Sequence, residues 1–290
     1  MHITIEDYFD LYKIANCGQC FRAVQIPSSG KYAERGSDPL YRFITGNHIL
    51  YIRSAEPGSD AGHLSPVYEV SCTKAQWESV WIPYFDLNRN YAQVRNRIPA
   101  EDSYLLEAAE KGRGIRILRQ DPWETLVTFI ISQRKNIPAI RKAVEQIAAL
   151  YGSTATTPYE RLCLFPTAMQ IMEQGLDKLA GCSLGYRLPY VIDAIECVAD
   201  GRLSLDACRG DCDQDLFDKL QMVKGVGCKI SNCVCLFAYG RTSLAPVDVW
   251  IDRVIREHYQ GKNPFPAYGH DAGIMQQYMF YAAQTSRDKS

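Results

Sequence analysis

No stretch of this sequence approaches eighteen unbroken apolar residues, and the opening Met-His-Ile-Thr-Ile-Glu-Asp has no basic segment leading into an apolar run. The first absence argues against a membrane-spanning helix, the second against a secretory leader. The expectation is a protein of the cytoplasm, or of the nucleus if its cell has one, with no membrane partner. Surplus positive charge is missing too: 32 Lys and Arg face 33 Asp and Glu, for a formal net charge of −1. Taken as a total, that balance argues against phosphate binding, which Lys and Arg carry. There is no internal repeat and no low-complexity tract, which excludes repeat arrays and long disordered linkers.

Cysteine is plentiful, but it lacks a metal-binding arrangement. The eleven cysteines are odd in number and spread over the whole chain, as reduced thiols in a reducing compartment would be. Cys17-x2-Cys20 and Cys208-x3-Cys212 are the pairs to test as ligands, and neither has a second pair at zinc-finger spacing. Four cysteines close together, as an iron–sulfur cluster needs, are also absent. No metal and no cofactor are expected. What is present is bulk: 290 residues with 47% apolar content can bury a large core, in one big domain or two ordinary ones.

The charge is unevenly distributed. From 111 to 142 lie eight basic residues (Lys111, Arg113, Arg116, Arg119, Arg134, Lys135, Arg141 and Lys142) against only Asp121 and Glu124. An acidic stretch from 195 to 220 returns the total to neutrality. Such asymmetry could steer an anionic polymer to one face, or it could be an ordinary solvated helix surface.

The hydrophobic period changes along the chain. In the first hundred residues CFRAVQI alternates and ends in the turn former PSSG, while YRFITGNHILYIRS reads as a hairpin through Thr-Gly-Asn. After about residue 100 the period is 3.6. Helices are expected over SYLLEAAEK, over PWETLVTFIIS with Asp121 as N-cap and Pro122 at N1, and over IPAIRKAVEQIAALY before Gly152. Further helices fit segments near 167, 188, 214, 228, 247 and 272. The fold class expected is α+β: a β-rich N-terminal domain over 1–100 and a helical body over 101–290.

Within that body, DLFDKLQMVKGVGCKISNCVCLFAYG reads as helix, tight turn, helix. Gly225 and Gly227 allow positive φ and close approach of backbone to whatever docks there. The turn aims the free N–H groups of the second helix outward, where a phosphate can sit at the positive end of the dipole. Lys229 lies in the first turn of that helix. The dipole disfavours an ammonium there and, with partial dehydration, favours the free amine that a lysine nucleophile requires. Position alone is equally compatible with an exposed lysine after a turn. Asp248 follows 19 residues later in Pro-Val-Asp-Val, at the start of another amphipathic run, where it is a credible N-cap. Capping does not explain its pairing with such a lysine: an amine to attack a carbon developing positive charge, and a carboxylate to stabilise that charge.

At these residues the sequence resembles the helix-hairpin-helix, Gly/Pro…Asp superfamily of DNA glycosylases, and within it the 8-oxoguanine DNA glycosylase/lyase family. GVGCKISNCVCL, the 19-residue interval and PVDVW correspond to that family's catalytic segment. NCGQCFR, QDPWETLVTFIIS, LGYRLPY and GIMQQYMF follow in family order over nearly the whole chain. The resemblance implies a twisted antiparallel N-terminal sheet attached to a helical two-part body with DNA in the cleft. It implies a bifunctional enzyme that flips out and excises 8-oxoguanine and then cleaves the strand as a Schiff-base lyase. The partner is duplex DNA carrying that lesion, and the protein a monomer.

The same resemblance assigns roles. Lys229 attacks C1′ and Asp248 supports departure of the base. The Gly18 carbonyl accepts the N7–H that separates 8-oxoguanine from guanine. Phe280 and Cys233 sandwich the flipped base, Gln276 reads its Watson–Crick edge, and Pro246 lines the pocket. Tyr186 and Arg187 fill and contact the gap left by extrusion, which is required because the target carbon is unreachable inside the stack. Taken singly, Phe280 is a core aromatic, Cys233 a buried thiol and Gly18 a turn residue.

The sequence also departs from the family. In eukaryotic members the loop after the DPWE-type helix carries asparagines and then an arginine that reads the orphaned cytosine. Here Arg134 stands at an asparagine position and Ala139 at that arginine, while Trp250 replaces a phosphate-contacting histidine. A relaxed preference for the opposite base is expected. Two alternatives stay open: an alkylated-base glycosylase, which keeps the aspartate but lacks the lysine, and a non-catalytic hairpin module that only binds DNA.

Overall fold

The computed structural model describes residues 1–27, 39–55 and 66–287. The chain forms two compact units: one comprises 1–44, 48–119 and 240–290, the other 45–47 and 120–239. The change of period near residue 100 therefore marks a change of secondary structure, whereas the units follow packing. The C-terminal helices belong to the same unit as the sheet.

The first unit holds a five-stranded sheet in the order β1-β5-β4-β3-β2, with β1 His2–Thr4, β2 Val24–Gln25, β3 Tyr41–Thr45, β4 His48–Ser54 and β5 Val67–Val70. β1 pairs antiparallel with β5 (His2 opposite Glu69), β4 with β5 (Ile52 opposite Val70) and β2 with β3 (Val24 opposite Arg42). The expected hairpin is present, turning at Gly46 with φ +53. The strand expected over CFRAVQI shrinks to Val24–Gln25, and residues 28–30 of its Pro-Ser-Ser-Gly turn lie outside the described residues.

The first hundred residues also hold helices that alternation did not suggest: Leu11–Asn16, a continuous helical run from Lys74 to Tyr84, and Tyr91–Asn96. Each starts on a side-chain cap, from Asp10, from Thr73 in a capping box with Gln76, and from Asn90. Those caps satisfy N–H groups that a helix start leaves orphaned. The middle run lays Trp77, Trp81 and Tyr84, with Phe85 just after it, into one core with Phe9, which precedes the first helix, and with Phe43 and Tyr68 of the sheet. There Phe85 meets Phe9 edge-on at 5.2 Å and Phe43 at 5.0 Å. Aromatic bulk, not alternation, decides this segment.

Three more helices complete the unit: Ser103–Lys111, Val249–His258 and Ala272–Arg287. Asp102 joins them. Its Oδ1 caps the first helix through Leu105 N–H and accepts the Tyr259 hydroxyl at 2.9 Å, and the Tyr268 hydroxyl donates to its other oxygen. In the second unit, Pro122–Ser132 begins at Asp121 with Pro122 at N1 as expected, and packs against Ile137–Tyr151, Leu188–Ala199 and Cys228–Phe237. Ala168–Gln174 and Asp213–Leu220 flank these, and β6 Thr154–Thr156 pairs with β7 Arg161–Cys163 in a small hairpin.

Candidate active site

The first half of the basic stretch from 111 to 142 is compensated within the first unit. Lys111 pairs with Glu107 and Arg113 with Glu110, each at 2.6 Å; Arg119 reaches Asp86 at 2.6 Å. Arg116 is buried, donating to the carbonyls of Tyr8 and Arg89. These four belong to the first unit and are internally compensated; Arg134, Lys135, Arg141 and Lys142 belong to the second.

Of the residues expected to line a base pocket, Gly18, Pro246, Gln276 and Phe280 belong to the first unit and Cys233 to the second. Gly18 follows the Leu11–Asn16 helix with φ +76, and the Phe280 ring lies so close that a Cβ on Gly18 would fall 2.8 Å from Phe280 Cε1. The loop is pinned on both sides. Gln277 Nε2 donates to the Cys17 carbonyl at 2.6 Å, and the Gln19 amide bonds the Arg116 carbonyl and the Leu118 N–H at 2.8 Å each. Between these anchors the Gly18 carbonyl accepts no hydrogen bond among the described residues. Gln276, beside Gln277 on the Ala272–Arg287 helix, is buried with its Oε1 unpartnered among the described residues. A buried amide oxygen without a donor is costly and awaits a ligand. Pro246 is buried in the approach to Asp248.

Asp248 caps Val249–His258, its Oδ1 accepting from the N–H groups of Trp250 and Ile251 at 3.0 Å each. Its Oδ2 accepts nothing among the described residues, so half of the carboxylate is fixed and half is available. Trp250 follows on the first turn.

In the second unit the expected hairpin is formed by Asp213–Leu220 and Cys228–Phe237. Gly225 has φ +80, and a Cβ there would meet the Tyr190 ring at 2.5 Å, so only glycine fits this turn. Gly227 stands at the N-cap, and no side chain caps the helix. Its first amides are left for an anion. Lys229 is half-buried on that first turn, its Nζ 5.0 Å from the centroid of Phe129, and makes no hydrogen bond or ion pair among the described residues. Cys233 lies buried one turn further on. Phe129 had no signal in the sequence beyond its place on an apolar helix face.

Tyr186 and Arg187 behave differently from each other. Tyr186 is 51% exposed, whereas Arg187 is buried with its guanidinium spent on carbonyls: Nε at 2.7 Å and Nη2 to Gln133, Nη1 to Leu184 at 3.3 Å. Lys135 donates to the Ser183 carbonyl, and Asn136 caps the next helix through Ala139 N–H. Burial and the nearby Arg187 charge hold the Lys135 ammonium below its usual range. Arg134, in the middle of this tethered loop, adopts φ +48, and its exposed side chain has no partner among the described residues.

Of the candidate metal pairs, Cys17, Cys20 and Cys208 are buried and Cys212 is exposed. Burial pushes Cys17 up to about 12 and also raises Cys208, both away from the thiolate that a metal requires. No group of three or more His, Cys, Asp or Glu that could hold a metal occurs among the described residues. No helix among them is long and apolar enough to cross a membrane.

Residues 2–126 match the family described as 8-oxoguanine DNA glycosylase, N-terminal domain. The N-glycosylase/DNA lyase of Saccharomyces cerevisiae is 30% identical over 278 residues, covering 86% of this chain and 68% of that protein. The chain belongs to the 8-oxoguanine DNA glycosylase family. A probable N-glycosylase/DNA lyase of Methanothermobacter thermautotrophicus is 27% identical over 64% of this chain and 69% of its own. The 8-oxoguanine glycosylase/lyase of Clostridium acetobutylicum, solved with duplex DNA carrying cytosine opposite 8-oxoguanine, superposes with a TM-score of 0.84 at 27% identity. That match covers 99% of this chain and 98% of the solved one, so the family fold extends over the whole glycosylase.

Gly18 leaves no room for a side chain without strain. An alanine there requires a left-handed backbone, at about 1–2 kcal/mol, and displaces the Phe280 ring. Gly18→Ala should lower stability by that modest amount in a urea melt. It should slow single-turnover excision of 8-oxoguanine by about 10², the scale for a shift of roughly 1 Å in a bound group. Excision at the unmodified rate would remove Gly18 from the pocket.

Proposed function

We propose that this chain is a DNA glycosylase with lyase activity that flips 8-oxoguanine out of duplex DNA, excises it and cleaves the strand. The observation that carries the reading is Lys229: a lysine without a polar partner among the described residues, on the first turn of a helix that no side chain caps. Its Nζ bonds to C1′ as the bond from C1′ to the base breaks, the base leaving with the electron pair and taking up a proton. The C1′–O4′ bond then breaks as the nitrogen lone pair forms the C=N bond and O4′ takes up a proton, giving a ring-opened Schiff base; this acidifies the 2′ position, and loss of that proton expels the 3′ phosphate. Asp248 stabilises the positive charge that develops on the sugar, through the oxygen its helix does not use.

Lesion recognition rests on the Gly18 carbonyl, which accepts the extra N7–H. Phe280 and Cys233 hold the faces of the flipped base, Gln276 meets its edge with the buried amide whose oxygen is unpartnered, and Pro246 shapes the wall. Gly225 and Gly227 open the hairpin to a backbone phosphate, and Trp250 belongs to the DNA-binding set. Tyr186 fills the gap left in the duplex. Arg187 serves by holding Gln133, and with it the turn that presents Arg134.

Lys229→Gln should abolish both excision and strand cleavage while lesion binding persists, because the pocket and hairpin survive without the amine. Borohydride trapping of a covalent complex with the variant would overturn the assignment. Asp248→Asn retains an amide oxygen for the two capping N–H groups, so the melting temperature should barely change. Its rate should fall by roughly 10²–10³, the cost of one preorganised electrostatic group. Parallel losses of stability and rate would reduce Asp248 to a cap.

Opposite-base preference follows from Arg134 and Ala139. A bidentate arginine contact is worth about 1–3 kcal/mol of discrimination, and Ala139 offers none. Single-turnover cleavage of 8-oxoguanine opposite each of the four bases should show cytosine only modestly favoured, with undamaged guanine rejected. A preference of a hundredfold or more for cytosine would instead assign the contact to Arg134.

A further inference from the structure

Six cations lie over aromatic rings among the described residues, and four of them also have polar partners: Arg95 with Asp7, Arg113 with Glu110, Arg116 with the Tyr8 carbonyl, Arg187 with Gln133. The other two are Lys229 over Phe129 and Arg253 over Trp250. Arg253 is exposed, with its guanidinium carbon 5.6 Å from the centroid of Trp250, and no other group among the described residues bonds to it. Its neighbour Arg256, on the same helix, is paired with Asp252 across one turn.

The choice of partner is informative. Glu257 stands four residues beyond Arg253, a spacing that permits an ion pair, and that pair is not made. The guanidinium lies back on the indole instead, as cations do on aromatic faces. The consequence is directional: an uncompensated charge is held toward the start of the helix, where Asp248 and Trp250 sit. The helix start cannot hold an anion by its own amides, because the Asp248 carboxylate occupies those of Trp250 and Ile251. A phosphate at this end needs a side-chain cation, and the guanidinium fork matches phosphate oxygens.

We propose that Arg253, seated on Trp250, is a phosphate contact that holds the DNA strand beside the Asp248 carboxylate. The proposal rests on the reading of the chain as a DNA glycosylase. Trp250 is then a positioning residue: its ring orients Arg253, and its effect on DNA binding passes through that charge.

The test is the salt dependence of binding to an undamaged duplex between 50 and 200 mM KCl, repeated with an 8-oxoguanine duplex in the Lys229→Gln background. Losing one phosphate contact lowers the slope of log K against log salt by about 0.9, so the deficit of Arg253→Gln should be about 3.5-fold smaller at 200 mM than at 50 mM. The preference for the lesion should not change. Arg253→Lys should recover most of the slope, Trp250→Ala should give an intermediate one, and Arg256→Gln should match the unmodified protein. An unchanged slope for Arg253→Gln, or an equal drop for Arg256→Gln, overturns the contact. The undamaged-duplex measurement needs no turnover, so failure of excision would count against the glycosylase reading alone.

Discussion

A buried hydrogen bond of 2.6 Å from Gln277 Nε2 to the Cys17 carbonyl joins residues 260 apart and holds the loop around Gly18 to the last helix. A neutral hydrogen bond contributes about 1 kcal/mol, so its importance lies in geometry. It fixes the carbonyl immediately before Gly18, and the Gln19 amide fixes the residue after. Gly18 is left with a defined left-handed backbone and an unused carbonyl. The helix that supplies Gln277 also supplies Gln276 and Phe280, so one element places the amide, the ring and the anchor of the loop together. The discrimination of a single N–H proposed for this carbonyl would need such rigidity, since a mobile acceptor would bind guanine nearly as well.

The two helix starts that carry Lys229 and Asp248 solve opposite electrostatic problems. Gly227 contributes no side chain, so the helix dipole and its first amides remain exposed beside an amine that works best uncharged. Asp248 fills its own helix start with one carboxylate oxygen and keeps the other. The shared oxygen restrains the side chain without neutralising it, which is how a carboxylate can be rigid and still respond to charge developing on a sugar. Capping occupies one oxygen of the group, and the catalysis proposed for it would use the other.

Arginines divide in the same way between holding and touching. Arg187, matched in sequence to a DNA contact, is buried against the Gln133 and Leu184 carbonyls and stabilises a loop. Arg134 and Arg253 are exposed and uncompensated, one raised on a left-handed turn and the other laid on an indole. A net charge near zero is compatible with DNA binding where some cations are paired with the protein's own carboxylates and others are left to face outward.

The sequence by itself determined the elements whose causes are local. Asp121-Pro122 and Asp248 announced helix starts that the structure contains, and Gly225 announced a turn that no side chain fits. The family motifs carried Lys229, Asp248, Gly18 and Phe280 because each sits in a short recognisable segment. Only tertiary structure decided what depends on partners distant in the chain. The helical run from Lys74 to Tyr84 went unrecognised because its aromatic residues are dictated by the core they fill. The first half of the basic stretch is compensated because Arg116 and Arg119 meet Arg89 and Asp86 from an earlier segment. Arg187 became a clamp and Arg253 a free cation for the same reason: sequence gives the charge of a side chain, and its role is set by which neutralising groups the fold brings within about 3 Å of it.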